Sequence, residues 1–290
     1  MGKMGLTGLL GTALAATWAL HGVPLPTASA APCSDAEVVF ARGTTELPGV
    51  GPTGQAFVDS LRSRIGTKSL GVYAVDYPAA MDFPTAVDGI VDARAHVLAT
   101  AANCPKTKMV LGGFSQGAAV IGFVTANVVP DGISPSDVPA PMPPEVGDHV
   151  AAVALFGKPS PRFMKVLSDP SIVIGPNYVA KTVELCVDND LVCDPHGKSF
   201  SAHNKYEETG TVDQGADFVA AKLQAAWAAE DAAAASDTAS QTSSPGTPVP
   251  LVDSTSPAHL GAPNQTLPGP LNLPGPNVIA PPADPVEPVT

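Results

Sequence analysis

Gly113-Phe114-Ser115-Gln116-Gly117 sets a serine between two glycines, directly after the apolar run Lys108–Gly112 and directly before a stretch of helix formers. In that strand–turn–helix context, G-x-S-x-G lifts a serine hydroxyl above a sheet on a tight, strained turn, ready to attack a carbonyl. The flanking glycines are needed because the crossing strand and helix leave no room for side chains. Such a hydroxyl also needs a general base, and near neutral pH histidine suits best. The chain has six histidines. His21 and His259 fall in terminal segments that do not read as folded, and His96 sits inside a helical stretch. His149 precedes a strand and comes before any suitable acid. His196 and His203 both follow the serine and the last expected strand, as the order Ser, acid, His requires. Spacing does not choose between them.

The acid belongs in the loop after the last strand, where the chain reads Cys186-Val187-Asp188-Asn189-Asp190-Leu191-Val192-Cys193. If the two cysteines pair, the short closed loop holds its carboxylates in place, which is what an orienting acid requires. Asp188, Asp190 and Asp194 compete for the role, and the pattern leaves all three open.

These residues need a scaffold. Glu37–Arg42, Ser69–Val75, Lys108–Gly112, Val150–Phe156 and Lys181–Val187 read as strands, and their continuous apolar character suits parallel strands covered on both faces. Gly54–Ile65, Val87–Ala102, Gln116–Val128 and Val212–Glu230 carry helical periodicity between them. Alternating strands and helices predict a doubly wound α/β sheet. Pro130–Pro144 is a long connection, and no internal repeat is visible.

The ends of the 290-residue chain read differently. Residues 1–31 have the form of a secretory signal peptide: Lys3, an apolar run from Leu6 to Leu20, then Ala28-Ser29-Ala30 as a cleavage site. That run of ~15 residues is short of the ~20 a membrane span needs, and no other segment qualifies. From Asp231 to Thr290 there are 13 prolines and no Lys or Arg. Such a segment cannot bury enough apolar surface to order itself, which predicts a disordered tail, either inert or a partner-binding arm. Residues 32–230 remain as one domain. Four cysteines in an exported chain suggest two disulfides, with Cys186 near Cys193 leaving Cys33 for Cys104. Their spacing does not suggest zinc. A net charge of −12 without a basic cluster argues against nucleic acid as a partner.

From Cys33 to about Trp227 the sequence resembles the cutinases, most closely the cutinase-like esterases secreted by mycobacteria. Four motifs carry the resemblance. Val38-Val39-Phe40-Ala41-Arg42-Gly43-Thr44-Thr45-Glu46 is similar to the family's first strand and oxyanion loop, and Gly113–Gly117 to its nucleophile elbow. Cys186–Cys193 is similar to its C-x₃-D-x-V-C acid loop, and Ala202-His203-x-x-Tyr206 to its histidine segment. The resemblance implies a three-layer α/β-hydrolase with a central, mostly parallel five-stranded sheet. It implies a triad of Ser115, Asp190 and His203, with His196 set aside. It further implies an oxyanion hole from Thr44 and the Gln116 N–H, and disulfides Cys33–Cys104 and Cys186–Cys193. The expected protein is a monomeric secreted esterase needing no metal or organic cofactor. It acts on short- to medium-chain acyl esters, with lipids or cutin-like polyesters as further substrates. Acyl transfer or thioester cleavage on the same fold, and a catalytically idle surface protein, are the competing readings.

Overall fold

The five apolar runs form one sheet: β1 (Ala36–Ala41), β2 (Leu70–Ala74), β3 (Lys108–Phe114), β4 (Val150–Phe156) and β5 (Thr182–Leu185). The computed structural model describes residues 32–242. The expected signal peptide, and the part of the expected tail that follows residue 242, lie outside the described residues. The strand order is β2-β1-β3-β4-β5 and each pairing is parallel. The sheet expected to be mostly parallel is therefore parallel throughout the described residues. Its order reverses between β1 and β3, and open α/β sheets place their sites at the carboxyl ends of strands beside such a switch.

Side chains alternate across a strand, and this sorts the core into two layers. Val38, Phe40, Val110, Ala152, Ala154 and Phe156 face one side, where α1 (Gly51–Arg62) and α6 (Thr211–Thr242) cover them with Phe57, Leu61, Val212, Val219 and Leu223. Val39, Ala41, Met109, Leu111, Val153 and Leu155 face the other side, against α2 (Ala86–Asn103) and α3 (Gln116–Val124). Phe40, Phe57 and Phe156 meet with ring centroids 5.4 to 6.3 Å apart, within the range where aromatic pairs add to simple burial. The architecture is three-layered.

β2 and β5 are edge strands and only half-buried, not covered on both faces as their apolar character suggests. β3 runs two residues beyond its expected end, to Phe114, so the sheet reaches the residue before Ser115. α3 stops at Val124, where the Thr125 hydroxyl donates back to the Ile121 and Gly122 carbonyls. Two helices escaped the periodicity reading, α4 (Pro161–Leu167) and α5 (Pro176–Val179). The first carries a local start signal: the Ser160 hydroxyl accepts the Phe163 N–H at 3.3 Å, and Pro161 begins the helix. The boundary expected at residue 230 also needs correction, because α6 continues to Thr242. Ala232–Ala235 are strong helix formers, and the first proline after them is Pro245.

Cys33 and Cys104 are disulfide-bonded across 71 residues, tying the approach to β1 to the end of α2. Closing a loop of that length removes unfolded-state entropy worth about 4 kcal/mol. Among the described residues no helix is long and apolar enough to cross a membrane.

Candidate active site

β3 ends at Phe114 and α3 begins at Gln116, leaving Ser115 alone on the turn with φ 55° and ψ −117°. Positive φ in a residue with a side chain is strained, and it persists only where the surroundings over-determine it. Here the Ser115 N–H donates to the Phe156 carbonyl at 2.9 Å, and its own carbonyl accepts the Ala119 N–H at 3.1 Å. The close crossing also fixes the flanking glycines. A Cβ at residue 117 would lie 2.0 Å from the Ala41 carbonyl oxygen, and one at residue 113 would lie 2.3 Å from the Gly117 carbonyl oxygen. Both obstacles are backbone and cannot swing aside.

His203 lies in a single 3₁₀ turn, Ala202–Asn204, and is 3 % exposed. Its Nε2 is 2.8 Å from Ser115 Oγ and its Nδ1 is 2.7 Å from Asp190 Oδ2. The imidazole stacks on Phe114, centroids 4.9 Å apart, and meets the Tyr206 ring edge-on at 6.1 Å. An ionised carboxylate at Nδ1 can only accept, which puts the proton on Nδ1 and turns the Nε2 lone pair toward Ser115. The group can therefore take the Ser115 proton while Asp190 stabilises the resulting imidazolium.

Asp190 is fully buried and heavily partnered. Beyond His203, its Oδ2 accepts the Tyr206 hydroxyl at 2.8 Å and its Oδ1 accepts the Val192 N–H at 2.8 Å. Burial pushes its pKa up. The hydrogen bonds from His203, Val192 and Tyr206 outweigh that and leave it below the ordinary aspartate value. The same neighbour, together with burial, pushes the Tyr206 phenol upward, so Tyr206 stays a donor. The loop shape selects this carboxylate. Cys186 and Cys193 are disulfide-bonded, and Asn189 between them adopts φ 63°. Asp188 is exposed. Asp194 folds back on the loop, accepting the Asn189 N–H at 3.1 Å and the His196 N–H at 2.8 Å. His196 is exposed and is not brought to Ser115.

Cys186, Asp190 and Cys193 also bring three potential metal-ligating atoms together. Both sulfurs are spent on the disulfide, and a coordinating sulfur must be a thiolate. The site does not fit a metal.

Thr44 lies three residues past β1, which pairs Ala41 with Gly113 in register. The turn carrying it is firmly tied. The Gly43 N–H donates to Glu46 Oε2 at 2.6 Å, and the Thr45 N–H, at φ 64°, to the Ala79 carbonyl at 2.7 Å. Buried Arg42 donates from Nε to the Glu46 carbonyl at 2.8 Å and from Nη2 to the Tyr77 carbonyl at 2.5 Å. Burial raises the pKa of Glu46 above the usual glutamate value. Gln116 anchors the neighbouring loop, its Nε2 donating to the Ala80 carbonyl at 2.9 Å. As the first residue of α3, Gln116 has an N–H that lacks an intrahelical partner.

A family model described as Cutinase matches residues 32–223. The chain belongs to the cutinase family. A probable carboxylesterase, Culp5, of Mycobacterium tuberculosis is 61% identical over 167 residues, covering 58% of this chain and 95% of that protein. Carboxylesterase Culp1 of Mycobacterium bovis is 46% identical over 225 residues, covering 75% of this chain and 96% of that one. Among solved structures, a Trichoderma reesei cutinase in complex with a phosphonate inhibitor is 30% identical with a TM-score of 0.51, covering 66% of this chain and 78% of that chain. An acetylxylan esterase, 23% identical, matches with a TM-score of 0.55 over 66% of this chain and all of its own, and supports the fold alone. As a cutinase-family chain, the protein is a serine carboxylic-ester hydrolase.

Tyr206 enters the sequence motif as a spacing residue, and its contact with Asp190 is visible only in the fold. Its spacing, three residues after His203, was the available signal. A single turn of chain returns its hydroxyl to the carboxylate that His203 holds.

Proposed function

We propose that the protein is a secreted esterase that hydrolyses acyl esters through an acyl-enzyme on Ser115, with His203 as general base and Asp190 as its orienting acid. The carrying observation is the unbroken hydrogen-bonded line from Ser115 Oγ through His203 to Asp190, at 2.8 and 2.7 Å. Ser115 Oγ attacks the ester carbonyl as its proton passes to His203 Nε2. The imidazolium returns that proton to the departing alcohol, and the serine is left acylated. Water then attacks the acyl carbon as His203 takes its proton, and that proton passes to Ser115 Oγ as the carboxylic acid leaves. The oxyanion of each tetrahedral intermediate is held by the Gln116 N–H and by Thr44, where preorganised donors do most for the barrier. The chain's resemblance to named carboxylesterases supports this reading, and two disulfides suit an oxidising compartment outside the cell.

Hydrolysis is tested by product analysis. With 4-nitrophenyl butanoate, one equivalent of butanoic acid should appear per nitrophenolate, and a primary alcohol added at millimolar concentration should leave that ratio unchanged. Quantitative diversion to the butanoate ester of the added alcohol would make the protein a transferase instead.

Thr44→Val keeps the side-chain shape and removes the hydroxyl. If that hydroxyl faces the oxyanion, kcat should fall by about 10²-fold with little change in KM, as for a donor used only in the transition state. Steady-state kinetics alongside the melting temperature checks this. Unchanged kcat would move the second donor elsewhere on the Gly43–Glu46 turn.

A further inference from the structure

A cavity of about 280 Å³ lies beside α3, away from the triad, and no step above uses it. Phe83 and Phe123 line it and pack against the buried cluster of Ala119, Met164 and Ile172. Val87 of α2 and Ile133 of the long Pro-rich connection also line it. Asp137 and Asp169 are its charged lining residues, and no Lys, Arg or His borders it. Most of its lining is apolar, which favours an apolar guest. Two acids without a cation disfavour phosphate or a free carboxylate. The guest that suits the lining is a neutral hydrocarbon chain.

Position ties the cavity to the reaction. Ser115 caps α3, and Ala119 and Phe123 follow it at four-residue spacing on that helix, so Phe123 stands about 12 Å from Ser115 along the helix. A second connection runs over the surface. Phe83 belongs to the loop whose Ala80 carbonyl anchors Gln116, and Met81 between them is 80% exposed. Met81 and Phe83 therefore lie in sequence between the loop that Gln116 anchors and the cavity. A methylene has roughly the bulk of a water, whose share of the liquid is about 30 Å³. The cavity then holds about nine methylenes, beyond the carbons needed to reach it.

We infer that this cavity is the binding place for the distal half of a long acyl chain, extending the substrate range beyond short and medium esters. The inference rests on the proposed esterase function. Filling it with Val87→Trp or Ile133→Trp should lower the ratio of kcat/KM for 4-nitrophenyl hexadecanoate over butanoate, in mixed micelles, at least tenfold. The butanoate value should stay within twofold. An unchanged ratio in both variants overturns the inference. Absence of butanoate turnover in the wild type would instead overturn the esterase reading. The unmodified protein gives a second measurement that no folding defect can obscure. Its inactivation rate by alkyl phosphonates should keep rising from the octyl to the hexadecyl compound. A rate that levels off at octyl would also overturn the inference.

Discussion

His203→Ala is expected to lower kcat by about 10⁴- to 10⁶-fold, the range found when a member of an interdependent serine triad is removed. His196→Ala should stay within about twofold of wild type. The asymmetry follows from placement. His203 is 3 % exposed, holds Ser115 through one nitrogen and Asp190 through the other, and is fixed by Phe114 stacking. His196 is exposed and is tied to Asp194 through its backbone N–H. Removing His203 also leaves a gap beside a buried carboxylate, so stability will drop as well. Added imidazole separates the two effects. Partial recovery of activity by imidazole marks a lost base, whereas a purely structural loss would not respond. Activity kept in His203→Ala and lost in His196→Ala would reverse the assignment.

Asp190→Asn should cost about 10⁴-fold in kcat. The carboxylate accepts three hydrogen bonds, two at Oδ2 from His203 and Tyr206 and one at Oδ1 from Val192. An amide has one accepting oxygen and one donating nitrogen. If its oxygen faces His203, the NH₂ opposes the Val192 N–H. If its nitrogen faces His203, the imidazole must carry its proton on Nε2 and can no longer accept from Ser115. In the first orientation a buried donor faces a donor, and in the second the Tyr206 hydroxyl loses its acceptor, at a cost of about 1–3 kcal/mol. The substitution also changes the pH dependence of stability. Asp190 has a folded pKa below its unfolded value, which is near 3.9. Its contribution is therefore fully present above about pH 4 and is lost as pH falls through the lower folded value. Urea midpoints of wild type and Asp190→Asn should converge on acidification below pH 4. Curves that stay parallel would show that Asp190 carries no such linkage.

Much of the scaffold was legible because the central strands of a parallel sheet are apolar on both faces. Lys108–Gly112 and Val150–Phe156 show this plainly, and β1, β3 and β4 lie centrally in the sheet. Edge strands obey a weaker rule, so β2 and β5 were read as more buried than they are. Helix α6 runs past Glu230 to Thr242, although composition over a long window groups Asp231–Thr242 with the prolines beyond it. The local residues alone, Ala232–Ala235 in particular, favour helix. At the site, the five residues around Ser115 carried their own meaning. The choice among Asp188, Asp190 and Asp194 did not. It depends on the backbone turn at Asn189 and on which carboxylate Tyr206 and Val192 can reach, and spacing does not encode either. The same holds for His196 and His203, seven residues apart, which spacing does not separate; the family motif favours His203, and the fold brings it to Ser115 Oγ at 2.8 Å.

The central claim is that Ser115 becomes acylated. It is tested most directly by treating the protein with a fluorophosphonate probe and locating the adduct by peptide mass spectrometry. A single adduct on Ser115, absent in Ser115→Ala and slowed at least a thousandfold in His203→Ala, is the predicted result. An adduct on another residue, or labelling that persists in Ser115→Ala, would contradict it.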